Sequence, residues 1–231
     1  MKLKKNKGRV FATQRGIDMA SGEWLFFIRS NEILPKTTLA QYLALIEGDS
    51  SVAYAGPVHY ECKDRAFACY LNNVSRGVKK YQSGEIIKYK YLLFNNSLIH
   101  SSVFEFIQLN QELSKYGGEE LDFSYKLNKL FPKKISACPE AVVLRKNYPS
   151  LKEHCCRLYE FGNHNLKKLE PHLQRAVIKQ PFLLFINLNF LIKALYLFCF
   201  AIYKINIKFL NYYIIRVIML CSILRGFYKG S

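Results

Sequence analysis

FATQRGIDMASGEWLFFIRSNEILP, residues 11–35, packs the signals of a helix, a strand and a second helix into one short stretch. Residues 10–20 read as a helix, which Gly22 punctuates. The following WLFFI, residues 24–28, is an unbroken apolar run of strand length, the pattern of a strand covered on both faces. Residues 29–32 are polar and read as a loop. Pro35 has its φ already set for a first helical turn. The helix it opens carries Leu39, Tyr42, Leu43 and Ile46 at helical spacing.

The same alternation continues on the C-terminal side. Residues 51–60 form a second strand candidate, and residues 61–94, rich in Lys and Tyr, read as irregular. Residues 97–100 look like a short strand with a helix starting at Ser102. Gly117 and Gly118 break the chain. Residues 119–131 then form a helix with Glu119, Glu120 and Asp122 in its first turn, where the helix dipole favours negative charge. Residues 135–144 are a strand interrupted by Pro139, and residues 150–169 are helical. Strands alternating with helices predict an α/β domain.

Composition narrows the function classes. The 231 residues suit one moderate domain with an appendage. Half are apolar and 15% aromatic, enough for a packed core and unlike a disordered chain. The formal net charge of +17 favours anionic partners: phosphates, acidic lipid head groups or nucleic acid. No recognised nucleic-acid motif is present and the apolar tail argues against one, so nucleic acid is not expected as a partner. The seven cysteines are odd in number and never spaced C-x-x-C, which points to reduced thiols and not to zinc or a disulfide framework. The basic residues 1–9 lack the apolar core of a secretory signal.

Three ordered stretches resemble family 2 glycosyltransferases. The quoted residues 11–35 are similar to that family's helix with an A-R-N-x-G-like motif, which leads through A-x-G-E into an apolar strand and the D-x-D loop. NNSLIHSSVFEF, residues 95–106, resembles the segment that introduces the acceptor-side helix. YGGEELDFSYKL, residues 116–127, is the most specific and resembles the G-G-E-D-x-D-x-x-x-R-L motif that carries the catalytic base. CPEAVVLRKNYPSLKEHCCRLYEFG, residues 138–162, repeats the family's strand, its histidine position and the following helix. The resemblance covers residues 8–165. It implies a partial GT-A-like, Rossmann-like sheet flanked by helices over residues 1–175. It also implies transfer of a sugar from a nucleotide-sugar donor to a glycan or glycolipid acceptor in cell-envelope polysaccharide or lipopolysaccharide synthesis, with inversion at the anomeric carbon.

Departures from the family pattern shape the expected chemistry. The strand and D-D-x-S segment that open the family's domain have no counterpart in residues 1–231, so an inactive, N-terminally truncated remnant or scaffold is the alternative to an enzyme. Arg29 and Asn31 stand where the D-x-D aspartates belong, Arg145 replaces the usual histidine, and Glu120 replaces the usual catalytic aspartate. The resemblance therefore assigns Glu120 as general base with Glu119 beside it. Arg29, Asn31, Glu32 and Arg145 fall at the donor diphosphate, and Asp122, His100 and Asn96 on the acceptor side. Two aspartates and a dication sum to zero charge, whereas Arg29, Asn31 and Arg145 sum to +2 without metal. Guanidinium groups can meet phosphate oxygens bidentately. No cofactor is expected, a divalent metal least of all, although a Glu32-held ion or a decayed loop are the competing readings. With the base- and ribose-gripping segment missing, weak donor binding and slow or no turnover are expected.

Residues 180–203 and 205–224 are dominated by Phe, Leu, Ile and Tyr. Either is long enough to cross a bilayer, which takes ~20 residues. Lys193 and Arg216 lie inside them, however, and a central Lys costs ~3 kcal/mol. Residues 176–231 are thus expected to associate with a membrane as helices lying in the interface, with Lys and Arg reaching head groups, at the cytoplasmic face of the plasma membrane. Packing as core helices is the competing reading.

Overall fold

A computed structural model describes residues 7–178 and 189–229. The elements are α1 (Arg9–Met19), β1 (Trp24–Phe27), β2 (Glu32–Ile33), α2 (Thr38–Ile46), β3 (Ala53–Ala55), β4 (Val58–Cys62), α3 (Arg65–Asn72), β5 (Ser97–His100), α4 (Val103–Phe106), α5 (Glu119–Leu130), β6 (Ile135–Ala137), β7 (Val143–Tyr148), α6 (Leu151–Asn163), α7 (Pro171–Ile178), α8 (Asn189–Ile205) and α9 (Lys208–Tyr228). They form an α/β fold with two mixed sheets, in strand orders β1-β5-β3-β6 and β2-β7-β4. Pairing is antiparallel for β1/β5, β5/β3 and β2/β7, and parallel for β3/β6 and β4/β7.

Gly56 and Pro57 divide the single strand expected over residues 51–60 into β3 and β4, one in each sheet. A Cβ on Gly56 would lie 2.3 Å from the Ala141 carbonyl oxygen and 2.5 Å from the Tyr42 hydroxyl, so only glycine fits. Asn96 closes this junction. Its amide donates to the carbonyls of Pro57 (2.8 Å) and Ala141 (2.5 Å), and its oxygen accepts from the Tyr42 hydroxyl (2.9 Å).

Several sequence expectations need correction. WLFFI is not buried on both faces: β1 is the terminal strand of its sheet and every residue in it is half-buried. The polar loop after it contains β2, whose Glu32 pairs in register with Arg145 of β7. In α2 only Thr38 and Tyr42 are buried, while Leu39 and Leu43 face outward, because the helix touches the core along one narrow stripe. Residues 61–94 are not all irregular. Asp64 caps α3 by accepting from the Phe67 amide at 3.2 Å.

The two C-terminal helices differ in their surroundings. α9 packs on α6 so closely that a Cβ on Gly162 would sit 2.0 Å from the Ile223 carbonyl oxygen, and one on Gly226 2.0 Å from that of Tyr159. Ile214, Ile215, Ile218, Cys221 and Leu224 are buried there, with Phe67 of α3 and Leu151 and Cys155 of α6 in the same core as the first three. α8 buries only Ile192 and Cys199, seven residues apart, and exposes Phe190, Leu191, Leu195, Leu197, Phe198 and Ile205. The first part of the expected apolar segment, residues 180–188, lies outside the described residues. Among those described, one helix, Leu210–Tyr228, is long and apolar enough to cross a membrane. All seven cysteines are free.

Candidate functional site

A cavity of about 1000 Å³ opens between α1 and the outer edge of β1. Its floor is the strand itself, Trp24 to Phe27, and its roof is α1 through Ala12, Gly16 and Ile17. At one end the lining turns polar, with Arg9, Arg29, Asn31, Glu119, Glu120 and Arg145. The strand end thus delivers Arg29 and Asn31, and β7 delivers Arg145. The start of α5 delivers the two glutamates through a turn that few residues can make. Gly117 and Gly118 both have positive φ, 81° and 95°, and a Cβ on either would lie 3.1 Å from the Phe161 ring. The structure therefore brings Arg29, Asn31, Glu119, Glu120 and Arg145 to one wall, with Glu32 immediately behind it.

The site is held by three ion pairs. The Arg29 guanidinium donates from one Nη to Glu120 Oε1 at 2.6 Å. The same oxygen accepts the Phe94 amide at 3.2 Å. Arg9 pairs with Glu119. Arg145 lies 3.5 Å from Glu32, which also accepts the Arg29 amide at 2.7 Å. The bare surplus of positive charge counted along the sequence is accordingly matched, guanidinium for carboxylate.

Electrostatics keep these groups poised. Burial alone would pull Arg29 down, but Glu120, Tyr116, Glu32 and Glu119 outweigh it and hold the guanidinium above its ordinary value. Burial pushes the Glu32 carboxyl up, against the Arg29 amide and Arg145. Glu119 is also raised, by burial and then by Glu120, with Arg9 opposing. Arg29 and Arg145 each keep a buried Nε without a hydrogen-bond partner, donors that an anionic ligand would satisfy. Among the described residues no group of three or more His, Cys, Asp or Glu is placed to hold a metal ion.

The other expected site residues stand away from the cavity. Asp122 is buried in the first turn of α5 without lining the cavity, and it pairs with Lys126 at 2.7 Å. His100 packs edge-on against Trp24, with its Nδ1 2.7 Å from the Ser102 hydroxyl. Asn96 is fully used in the Gly56 junction. The sequence reading missed Arg9 and Phe94. Arg9 had a signal: a cation in the first turn of a helix opposes the dipole and needs a carboxylate partner. Phe94 enters through its backbone amide and a 4.7 Å ring stack on Phe27, neither of which a one-dimensional pattern announces.

No protein family and no curated protein matches the sequence. Among solved structures, S. aureus TarS residues 1–349 is similar at 16% identity, over 99% of this chain and 73% of that one, with a TM-score of 0.49. The complex of that protein with UDP gives the same figures. Its complex with UDP-GlcNAc gives 15% identity over 100% of this chain and 74% of that one, again with a TM-score of 0.49.

Proposed function

We propose that the chain is a glycosyltransferase-type protein whose cavity receives a nucleotide-sugar, with the donor diphosphate at Arg29 and Arg145. The observation that carries this reading is the position of Arg29, bound to Glu120 through one Nη while its buried Nε lacks a partner. A diphosphate is a stronger, bidentate partner than one carboxylate oxygen. When it takes Arg29, Glu120 is released and becomes free to accept a proton. The acceptor hydroxyl then gives its proton to Glu120, and its oxygen bonds to the anomeric carbon. The bond from that carbon to the phosphate oxygen breaks, and the electron pair leaves with the diphosphate, held by the two guanidinium groups. The cations that meet the diphosphate are the guanidinium groups of Arg29 and Arg145, freed from their glutamates by the exchange, so binding is independent of divalent metal. The product belongs to a cell-envelope glycan or glycolipid.

Because Arg29 must exchange Glu120 for phosphate, donor binding is weak. Calorimetric titration with a panel of nucleotide-sugars that includes UDP-GlcNAc tests this. Arg29→Ala abolishes binding. Glu120→Gln tightens binding several-fold, by removing the competing charge, and eliminates turnover. Chelator changes neither result. Binding that Glu120→Gln weakens, or that chelator abolishes, rejects the exchange. The alternative, a remnant without catalysis, is favoured by the pairing of each of Arg9, Arg29 and Arg145 with a glutamate. It is the correct reading if binding is present and no nucleotide-sugar in the panel is consumed.

Attachment to a membrane surface belongs to the same proposal and rests on α8. Its exposed Phe190, Leu191, Leu195, Phe198 and Ile205 run alongside exposed Lys193 and Lys204, on a protein of net charge +17. Anionic lipid at the inner face of the cell membrane complements both features. Burying one Phe side chain contributes ~1.5–3 kcal/mol. Phe190→Ser with Phe198→Ser is therefore expected to cut co-flotation with phosphatidylglycerol vesicles at least tenfold. Equal flotation of parent and variant rejects the attachment.

A further inference from the structure

A second cavity, of about 490 Å³, adjoins the first and shares Asn31 and Arg145 with it. It lies under the turn from β7 into α6, and Lys63, Asn147, Tyr148, Ser150 and Arg157 complete its wall. We infer that this second cavity is an anion subsite that takes a phosphate ester group, with Arg145 as its buried anchor and Lys63 and Arg157 at its rim. Calling that group part of the acceptor rests on the transferase reading above. The anion site itself does not.

Charge accounting carries the argument. Three cations line the cavity, and Glu153 is its one carboxylate. Glu153 accepts the Ser150 amide and hydroxyl, both at 2.8 Å, in the capping box of α6, and its charge also faces Arg157, so the lining keeps a surplus of two positive charges. Neither Lys63 nor Arg157 forms an ion pair among the described residues, and the guanidinium of Arg157 is 5.9 Å from the Tyr116 ring centre. Arg145 is only 8% exposed, touches Glu32 by one Nη at 3.5 Å and leaves its Nε unpartnered. A buried guanidinium N–H without an acceptor is costly. Its planar fork suits a tetrahedral oxyanion, and Lys63 adds a mobile point charge. His154, next to Glu153 on α6, is buried, and burial first, then Arg157, Arg76 and Arg145, push its imidazole down to about 4. The volume exceeds one phosphate and leaves room for an attached polyol or sugar. Arg145 between the cavities places the bound ester beside the donor diphosphate, where an acceptor carrying a phosphate would lie.

The probe is glycerol 3-phosphate, titrated into the full chain with amide and side-chain NMR shifts as the readout. Saturable binding with a Kd of about 1 mM is expected. Lys63→Ala with Arg157→Ala should weaken it at least tenfold and leave nucleotide-sugar binding unchanged. Arg29→Ala should do the reverse. A second arm compares vesicles of phosphatidylglycerol and phosphatidylcholine. If adding Lys63→Ala with Arg157→Ala to the Phe190→Ser, Phe198→Ser protein removes its residual phosphatidylglycerol binding, the phosphate comes from a lipid head group; loss of the soluble ester alone assigns it to a soluble acceptor. No saturable binding of glycerol 3-phosphate, or binding that the double variant leaves intact, overturns the subsite. Failure of nucleotide-sugar binding with glycerol 3-phosphate binding intact overturns only the donor reading.

Discussion

Gly162→Ala is expected to destabilise the chain by about 3 kcal/mol or more, one of the largest effects of any single methyl group in the molecule. The added Cβ would stand 2.0 Å from the Ile223 carbonyl oxygen and 2.9 Å from its carbonyl carbon. A carbon and a carbonyl oxygen normally approach no closer than ~3.3 Å. Both obstructing atoms are backbone, so no side chain can rotate away and the two helices must part by more than 1 Å. Gly226 makes the reciprocal contact with the Tyr159 carbonyl. Parting the helices would expose Ile214, Ile215 and Ile218, which close the core under α3. For a chain of this size, 3 kcal/mol lowers the melting temperature by roughly 6–12 °C. Thermal and urea unfolding of Gly162→Ala, Gly226→Ala and the double variant check it. The double variant should cost clearly less than the sum, because the first Cβ already separates the helices that the second would clash with. A melting temperature unchanged in Gly162→Ala would show that α6 and α9 are not in backbone contact.

That contact also marks where the sequence was legible and where it was not. Strand and helix periodicity located β1, β5, α1, α5 and α6, because each carries a local pattern its own neighbours enforce. The Gly117-Gly118 break with acidic residues after it correctly placed Glu119 and Glu120, since a double left-handed turn is a local demand. The grouping of Arg29, Asn31, Glu120 and Arg145 was readable only through family resemblance, because the pairs span 91 residues for Arg29–Glu120 and 113 for Glu32–Arg145. Their mutual neutralisation was not readable: a count of formal charges along a loop omits the carboxylates that folding brings opposite. Asn96 and Asp122 were assigned to the acceptor side through the same resemblance, and neither lines the cavity. Asn96 joins the two sheets, and Asp122 pairs along its own helix. Residues 205–224 were expected at a membrane surface, and the structure packs the helix they fall in against α6. Hydropathy does not distinguish lipid from the face of another helix, and the glycines that disclose the helix contact are 64 residues apart in the chain.

Acidification from pH 7 to pH 5 is expected to cost about 2 kcal/mol through His154 alone, and about 3 kcal/mol once the pH reaches 4. The imidazole is 8% exposed, its Nδ1 is 3.2 Å from the Tyr148 hydroxyl, and its ring lies 5.5 Å from that of Phe67. Burial first, then Arg157 on its own helix, Arg76 after α3 and Arg145 on β7, push it down to about 4 from the ordinary 6.5. The folded state therefore refuses a proton that the unfolded chain accepts below pH 6.5. Stability from this group is complete above pH 6.5 and is lost as pH falls toward 4, where the folded state begins to titrate as well. Glu32 and Glu119 act with the opposite sign, because burial raises both and the folded state accepts their protons more readily than the unfolded chain. A comparison of the parent with His154→Gln cancels those contributions, since both proteins contain them. Urea unfolding at half-unit steps between pH 7.5 and 5 should show the parent losing about 2 kcal/mol more than the variant, with the difference opening below pH 6.5. Parallel curves would mean that His154 titrates normally.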